Sequence, residues 1–152
     1  MATGGTYLGD GTTCDGDPCA ASITIVKQTI SEEQTADTFT FSGDINETIG
    51  SGQQIVEDAL APGTYTVQED VIAGSDLTNI SCLGDGQVTI DLNNRSVEIT
   101  VDYGESMTCT FTNEATGACC LPDIGRRTAN DSCMVLTKMQ CEGSRTAGGV
   151  YQ

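Results

Sequence analysis

Through the middle of this 152-residue chain, apolar and polar side chains alternate with a period of two, the mark of strands with one buried face. The runs 21–27, 37–42, 53–57, 64–70, 77–82, 87–92, 95–102 and 106–113 read this way and are rich in Thr, Val and Ile. Turn-forming residues separate them: Ser-Gly-Asp at 42–44, Ala-Pro-Gly at 61–63, Gly-Asp-Gly at 84–86, Asn-Asn at 93–94 and Tyr-Gly-Glu at 103–105. Short strands at this spacing predict an all-β chain, a β-sandwich with Greek-key connections. The stretch around 134–142 alone carries a faint helical pattern.

Alternation also assigns faces. Ile23 and Ile25 point inward, and the same register turns Lys27 inward. Tyr65 and Val67 share a face with Glu69, and Cys109 and Phe111 share one with Asn113. Three polar side chains thus project from core faces, each at the end of its strand. An unpartnered buried Lys costs on the order of several kcal/mol, so such groups need partners or chemical change. Lys, Glu and Asn are the set that an intramolecular isopeptide bond requires. Burial favours the neutral, nucleophilic amine and the protonated carboxyl. The carboxyl polarises the Asn amide and relays protons, ammonia leaves, and the Asn side chain becomes an amide to Lys. The plainer alternative is a surface Lys, a solvated Glu and a turn Asn.

Charge and cysteine content narrow the class. Six basic and 22 acidic residues give a net charge of −16. Such a surface repels polyanions, which excludes nucleic acid as a partner. The absence of His removes imidazole metal ligation and His-dependent nucleophiles. No apolar run is long enough for a membrane span. The start, Met-Ala-Thr-Gly-Gly, lacks the basic and apolar regions of a signal peptide. Leu, Ile, Val and Phe make up about one fifth of the chain, near the lower bound for a packed core. Eight Cys with no Cys-x-x-Cys pair indicate disulfides rather than zinc, hence an oxidising, extracellular setting. An export signal is then expected to have been removed or to sit elsewhere on a larger precursor. No cofactor or metal is expected, and no enzymatic turnover, since Glu69 would act once and on its own chain.

Three strings carry a family resemblance: Ile-Thr-Ile-Val-Lys at 23–27, Leu-Ala-Pro-Gly-Thr-Tyr-Thr-Val-Gln-Glu at 60–69, and Cys-Thr-Phe-Thr-Asn at 109–113. Together they resemble the signature strands of prealbumin-like, collagen-adhesin B-type domains of bacterial surface proteins and pilins, over roughly 20–116. The resemblance implies that Lys27 bonds Asn113 and that Glu69 catalyses the reaction. Cys82 and Cys109 both fall on core faces and could pair across the core, or remain buried thiols. Some domains of this kind carry a matching Ile-x-Cys … Thr-Cys-Thr-Phe-Thr-Asn pattern, and an oxidising setting favours the disulfide.

The ends, 1–19 and 117–152, differ in composition from 20–116. Gly-Ala-Cys-Cys-Leu-Pro-Asp at 117–123 resembles the start of a short cysteine-rich repeat of some secreted bacterial proteins. That repeat ends in a GGxYxGDGTxC stretch, and Gly-Gly-Thr-Tyr-Leu-Gly-Asp-Gly-Thr-Thr-Cys stands here at 4–14. The pattern departs at 124–132, where a longer insert precedes Cys133. The chain thus reads as one period of a head-to-tail array cut inside a small disulfide-rich module. Cys119, Cys120, Cys133 and Cys141 of one copy would join Cys14 and Cys19 of the next, with pairing undetermined. Two separate disulfide-closed ends on a monomer are the alternative.

Minor signals remain. Asp10, Asp15 and Asp17 could offer oxygen ligands to calcium but lack a full ligand-loop pattern. Asn46, Asn79, Asn94 and Asn130 begin Asn-x-Ser/Thr sequons. Arg126 and Arg127 read as a solvated loop. The expected function is an extracellular structural subunit that joins copies of itself into a filament or stalk. Its rivals are an adhesin or matrix-binding module and a small disulfide-rich inhibitor.

Overall fold

The computed structural model describes residues 13–14, 17–30, 37–120, 133–137 and 150–151, with side chains at 19–30 and 37–117. In chain order the described strands are β1 Thr13–Cys14, β2 Asp17–Pro18, β3 Ala21–Thr29, β4 Thr38–Gly43, β5 Glu47–Gly50, β6 Gln54–Leu60 and β7 Gly63–Glu69. They continue as β8 Ser75–Gly84, β9 Gln87–Asp91, β10 Ser96–Val101, β11 Ser106–Cys120, β12 Cys133–Thr137 and β13 Val150–Tyr151. The all-β expectation holds among the described residues. Every alternating run became a strand. Cys133–Thr137 is a strand too, which corrects the faint helical reading there; the remainder of that stretch lies outside the described residues.

Two sheets form the sandwich. One is ordered β5–β4–β7–β10–β9. The other places β11 between β3 and β8, with β6 beyond β3. All these neighbours are antiparallel except β3 and β11, which run parallel from Ser22 opposite Ser106 to Thr29 opposite Asn113. The chain therefore enters the sandwich at Ala21 and leaves it near Ala115 at opposite poles, about 30 Å apart at the strand rise. Beyond the sandwich, β11 continues through Cys120 and pairs with β12 and β13, while β1 and β2 form a separate pair.

Burial follows period two. Ala21, Ile23, Ile25 and Lys27 of β3 alternate with partly exposed neighbours, and Val67 with Glu69 of β7 and Val97, Ile99 and Val101 of β10 do the same. Phe41 and Phe111 meet edge to face across the core, with centroids 5.1 Å apart. The Ala-Pro-Gly turn is held by Tyr65, whose hydroxyl donates to the Ala61 carbonyl at 2.7 Å. In the Gly-Asp-Gly turn, Gly84 has φ +148° and a side chain there would collide with the Ser106 carbonyl.

Two features differ from the pattern. The strand β5 spans four residues of which Ile49 alone is buried and apolar, too short for alternation to mark it. In β8, Leu77 and Ile80 are both buried although their positions differ in parity. A bulge opposite Thr112/Asn113 re-phases the strand between them.

Candidate functional site

The inward register of β3, β7 and β11 brings Lys27, Glu69 and Asn113 together. Lys27 and Asn113 come from the β3/β11 sheet, and Glu69 reaches them across the core from β7. All three are buried, at 0%, 1% and 0% exposure. Lys27 Nζ donates to Asn113 Oδ1 at 2.6 Å and to the carbonyls of Gln28 and Phe111, each at 3.1 Å. It lies 3.1 Å from Glu69 Oε2, and 4.2 Å from the centre of the Phe39 ring. Asn113 Nδ2 donates to Glu69 Oε1 at 2.8 Å and to Ser75 Oγ at 2.9 Å.

The electrostatics favour a reactive amine. Burial pushes the Lys27 ammonium down to about 8 from its ordinary value; the Glu69 carboxylate opposes this and the Arg95 guanidinium adds to it. The sequence reading has Glu69 polarise the Asn113 amide. In the structure Glu69 touches the amide nitrogen, while the amide oxygen faces Lys27. The carboxylate thus bridges the nucleophile and the leaving group, a geometry suited to carrying a proton from one to the other.

Two residues of this site escaped the sequence reading. Ser75, 8% exposed, accepts from Asn113 Nδ2. Arg95 pairs with Glu69 Oε1 through Nη2 and donates from Nε to the Glu69 carbonyl at 3.2 Å. A signal for Arg95 existed. Within 20–116 the basic residues are Lys27 and Arg95, against a large excess of acids, and both point at one carboxylate.

A disulfide joins Cys82 and Cys109. The sequence allowed a bond across the core; the structure instead sets the two opposite one another on the neighbouring strands β8 and β11. Period two fixes a residue's face and leaves its neighbour open. The bond ties residues 27 apart in sequence. Replacing both by Ala is expected to lower stability by roughly 3–4 kcal/mol, seen as a lower urea midpoint, by restoring loop entropy to the unfolded chain. An unchanged midpoint would show the tie to be redundant.

Of the other cysteines, Cys19 is disulfide-bonded. Cys14 lies in β1, Cys119 and Cys120 in β11, and Cys133 in β12 opposite Cys120. Cys141 lies outside the described residues, as do Asp10, Asp15, Arg126, Arg127 and Asn130. Asn46, Asn79 and Asn94 are exposed. Among the described residues, no three Cys, Asp or Glu side chains converge as a metal would require.

A prealbumin-like fold domain model matches residues 23–115. The chain belongs to that family. The match coincides with the 20–116 sandwich and with the resemblance read from its strands. No curated protein matches the chain. Among solved structures, a bacterial adhesin from Mobiluncus mulieris containing intramolecular disulfide, isopeptide and ester bond cross-links is similar, with 17% identity and a TM-score of 0.47. The similarity covers 64% of this chain and 42% of the adhesin, so the chain spans less than half of that protein's length. Among the described residues of this prealbumin-like domain, no helix is long and apolar enough to cross a membrane.

Proposed function

We propose that this chain is an extracellular structural subunit that assembles head to tail into a filament or stalk, with each sandwich locked by a Lys27–Asn113 isopeptide bond formed with Glu69. The buried convergence of Lys27, Glu69 and Asn113 carries the reading. A buried Lys 2.6 Å from an Asn amide and 3.1 Å from a carboxylate has every reactant needed for the bond. Its yield is a covalent tie between the first and last strands of the sandwich, of value to a protein that bears load. Glu69 acts once, so the chain is no turnover enzyme.

Assembly rests on the two ends. Residues 1–19 and 117–152 read as complementary parts of one cysteine module, and the chain enters and leaves the sandwich between them at opposite poles. One copy's N-terminal part would complete its neighbour's C-terminal part by adding a strand, with disulfides securing each module. Such heterologous contacts extend into open filaments unless their rotation closes a ring. The high negative charge keeps adjacent fibres apart.

Electron microscopy of the purified chain, with non-reducing gels, tests this. The whole chain is expected to form filaments, and a chain lacking residues 1–19 is expected to remain a folded monomer. Filaments unaltered by the deletion, or a strictly monomeric whole chain under oxidising conditions, would overturn the reading in favour of an adhesin or matrix-binding module.

A further inference from the structure

Resting on the isopeptide reading, we propose that Arg95 is a positioning residue for cross-link formation: it clamps Glu69 so that Oε2 faces the Lys27 amine and Oε1 faces the departing Asn113 nitrogen, which Ser75 aims.

The β9–β10 turn is built around this contact. Arg95 has φ +57°, a left-handed conformation that costs a residue with a side chain about 1–2 kcal/mol and that Gly or Asn would adopt more readily. The turn holds it there. Asp91 accepts from the Asn94 backbone at 3.1 Å and from its side chain at 2.7 Å, and Gln68 donates to the Asn94 carbonyl at 2.9 Å. The Glu69 amide donates to the Arg95 carbonyl at 3.0 Å, and Arg95 Nε donates back to the Glu69 carbonyl. Arg95 is thereby fixed to the backbone of the residue whose carboxylate it also grips. A surface turn has no need of this; a proton relay does, because Oε1 and Oε2 must face different partners.

The charges around the pair come from three directions. Lys27 faces Glu69 from β3, Arg95 faces it from the turn, and Asp76 of β8 lies 3.9 Å behind Arg95. β4 offers the uncharged Phe39 ring and β11 the Asn113 amide. Arg95 also disfavours a proton on Lys27.

The steps balance. The Lys27 ammonium gives one proton to Glu69 Oε2. The free amine attacks Asn113 Cγ, forming the new C–N bond and placing charge on Oδ1. Glu69 passes its proton to Nδ2, the C–Nδ2 bond breaks, and the carbonyl re-forms. The proton left on the new amide nitrogen returns through Glu69 to the released ammonia. The sum is ammonium plus a Lys27–Asn113 amide, with no co-reactant. Ser75 Oγ and Glu69 Oε1 together hold Nδ2 toward the relay, so the amide cannot turn its oxygen there instead.

Denatured, uncross-linked chain diluted into buffers from about pH 5 to about pH 10 and quenched at intervals would be followed by intact mass, with circular dichroism as an independent measure of folding. The wild-type rate is expected to fall above pH about 8, where Lys27 has lost the proton that the relay passes to the leaving group. Arg95→Met is expected to react about tenfold more slowly at neutral pH. Its falling limb should move to higher pH, since Lys27 then keeps its proton longer. Arg95→Lys, which keeps the charge without the fork, should slow the reaction and leave the limb in place; it carries the test if Arg95→Met fails to fold. Unchanged rates and limbs in either folded variant would overturn the role of Arg95 while leaving the cross-link intact. A folded wild type that never loses ammonia would overturn the cross-link itself, and this role with it.

Discussion

Glu69→Ala is expected to leave the chain at its full sequence mass after reduction, while the wild type falls short by one ammonia. Without the carboxylate, nothing carries the proton from Lys27 to Asn113 Nδ2, so the amide stays whole. The effect on stability should be large for two reasons. The cross-link between residues 27 and 113 closes a long loop, worth about 4–5 kcal/mol by the loop-entropy argument used for disulfides. Removing Glu69 also breaks the buried Lys27–Glu69 pair, at a cost of about 3–5 kcal/mol. These two losses share a residue and need not add, but either is a large part of the roughly 5–15 kcal/mol that holds an ordinary domain together. Glu69→Gln separates chemistry from folding, since it keeps the shape and loses the relay. Intact mass and thermal melting of both variants decide the matter. A folded wild type of unshortened mass would sink the isopeptide reading outright.

The register of this site was legible because the three strands that carry it are regular. Ile23, Ile25 and Lys27 lie at steps of two with no bulge among them, and so do Cys109, Phe111 and Asn113. Each polar residue continues an apolar stripe by one more step, which is why alternation alone turned it inward. Glu69 needed in addition the turn before it, where Pro62 precedes the start of β7 at Gly63 and Tyr65 pins the Ala61 carbonyl.

Ser75 was not legible and Arg95 only in part, each for its own reason. With Ile80 and Cys82 inward, a strict period of two turns Ser75 outward. The bulge opposite Thr112/Asn113 reverses that parity and delivers Ser75 to Asn113. No residue in that stretch announces the bulge. Arg95 opens the alternating run 95–102 and shares the parity of Val97, Ile99 and Val101, but β10 begins only at Ser96, and the direction of Arg95 depends on a left-handed turn that an Arg does not signal. The Cys82–Cys109 bond shows the same limit. Both faces were assigned, but strand order decides which inward residues are neighbours, and the parallel insertion of β11 between β3 and β8 leaves no local mark.

Pulled by its two ends, the wild-type sandwich is expected to stay short where Asn113→Ala extends fully. The geometry sets the path of the load. Force enters at Ala21 and leaves near Ala115, at opposite poles of two parallel neighbouring strands. With a Lys27–Asn113 bond in place, it runs along β3 to Lys27, crosses to Asn113 and leaves along β11. Residues 28–112 then lie off the path and cannot be drawn out, however many backbone hydrogen bonds fail. In Asn113→Ala the bond cannot form, and the same residues come under load. Reduced chains of this variant should release roughly 300 Å at full extension, from about 3.5 Å per residue. Oxidised chains should release roughly 200 Å, because the Cys82–Cys109 tie keeps the residues between them from extending. Single-molecule force–extension curves read all three lengths. The difference between oxidised and reduced Asn113→Ala shows that the released segment contains the disulfide loop. A wild type that gives up the same length as the variant would mean that no covalent bond joins β3 to β11, leaving the buried Lys27–Glu69–Asn113 cluster as an ordinary hydrogen-bonded network.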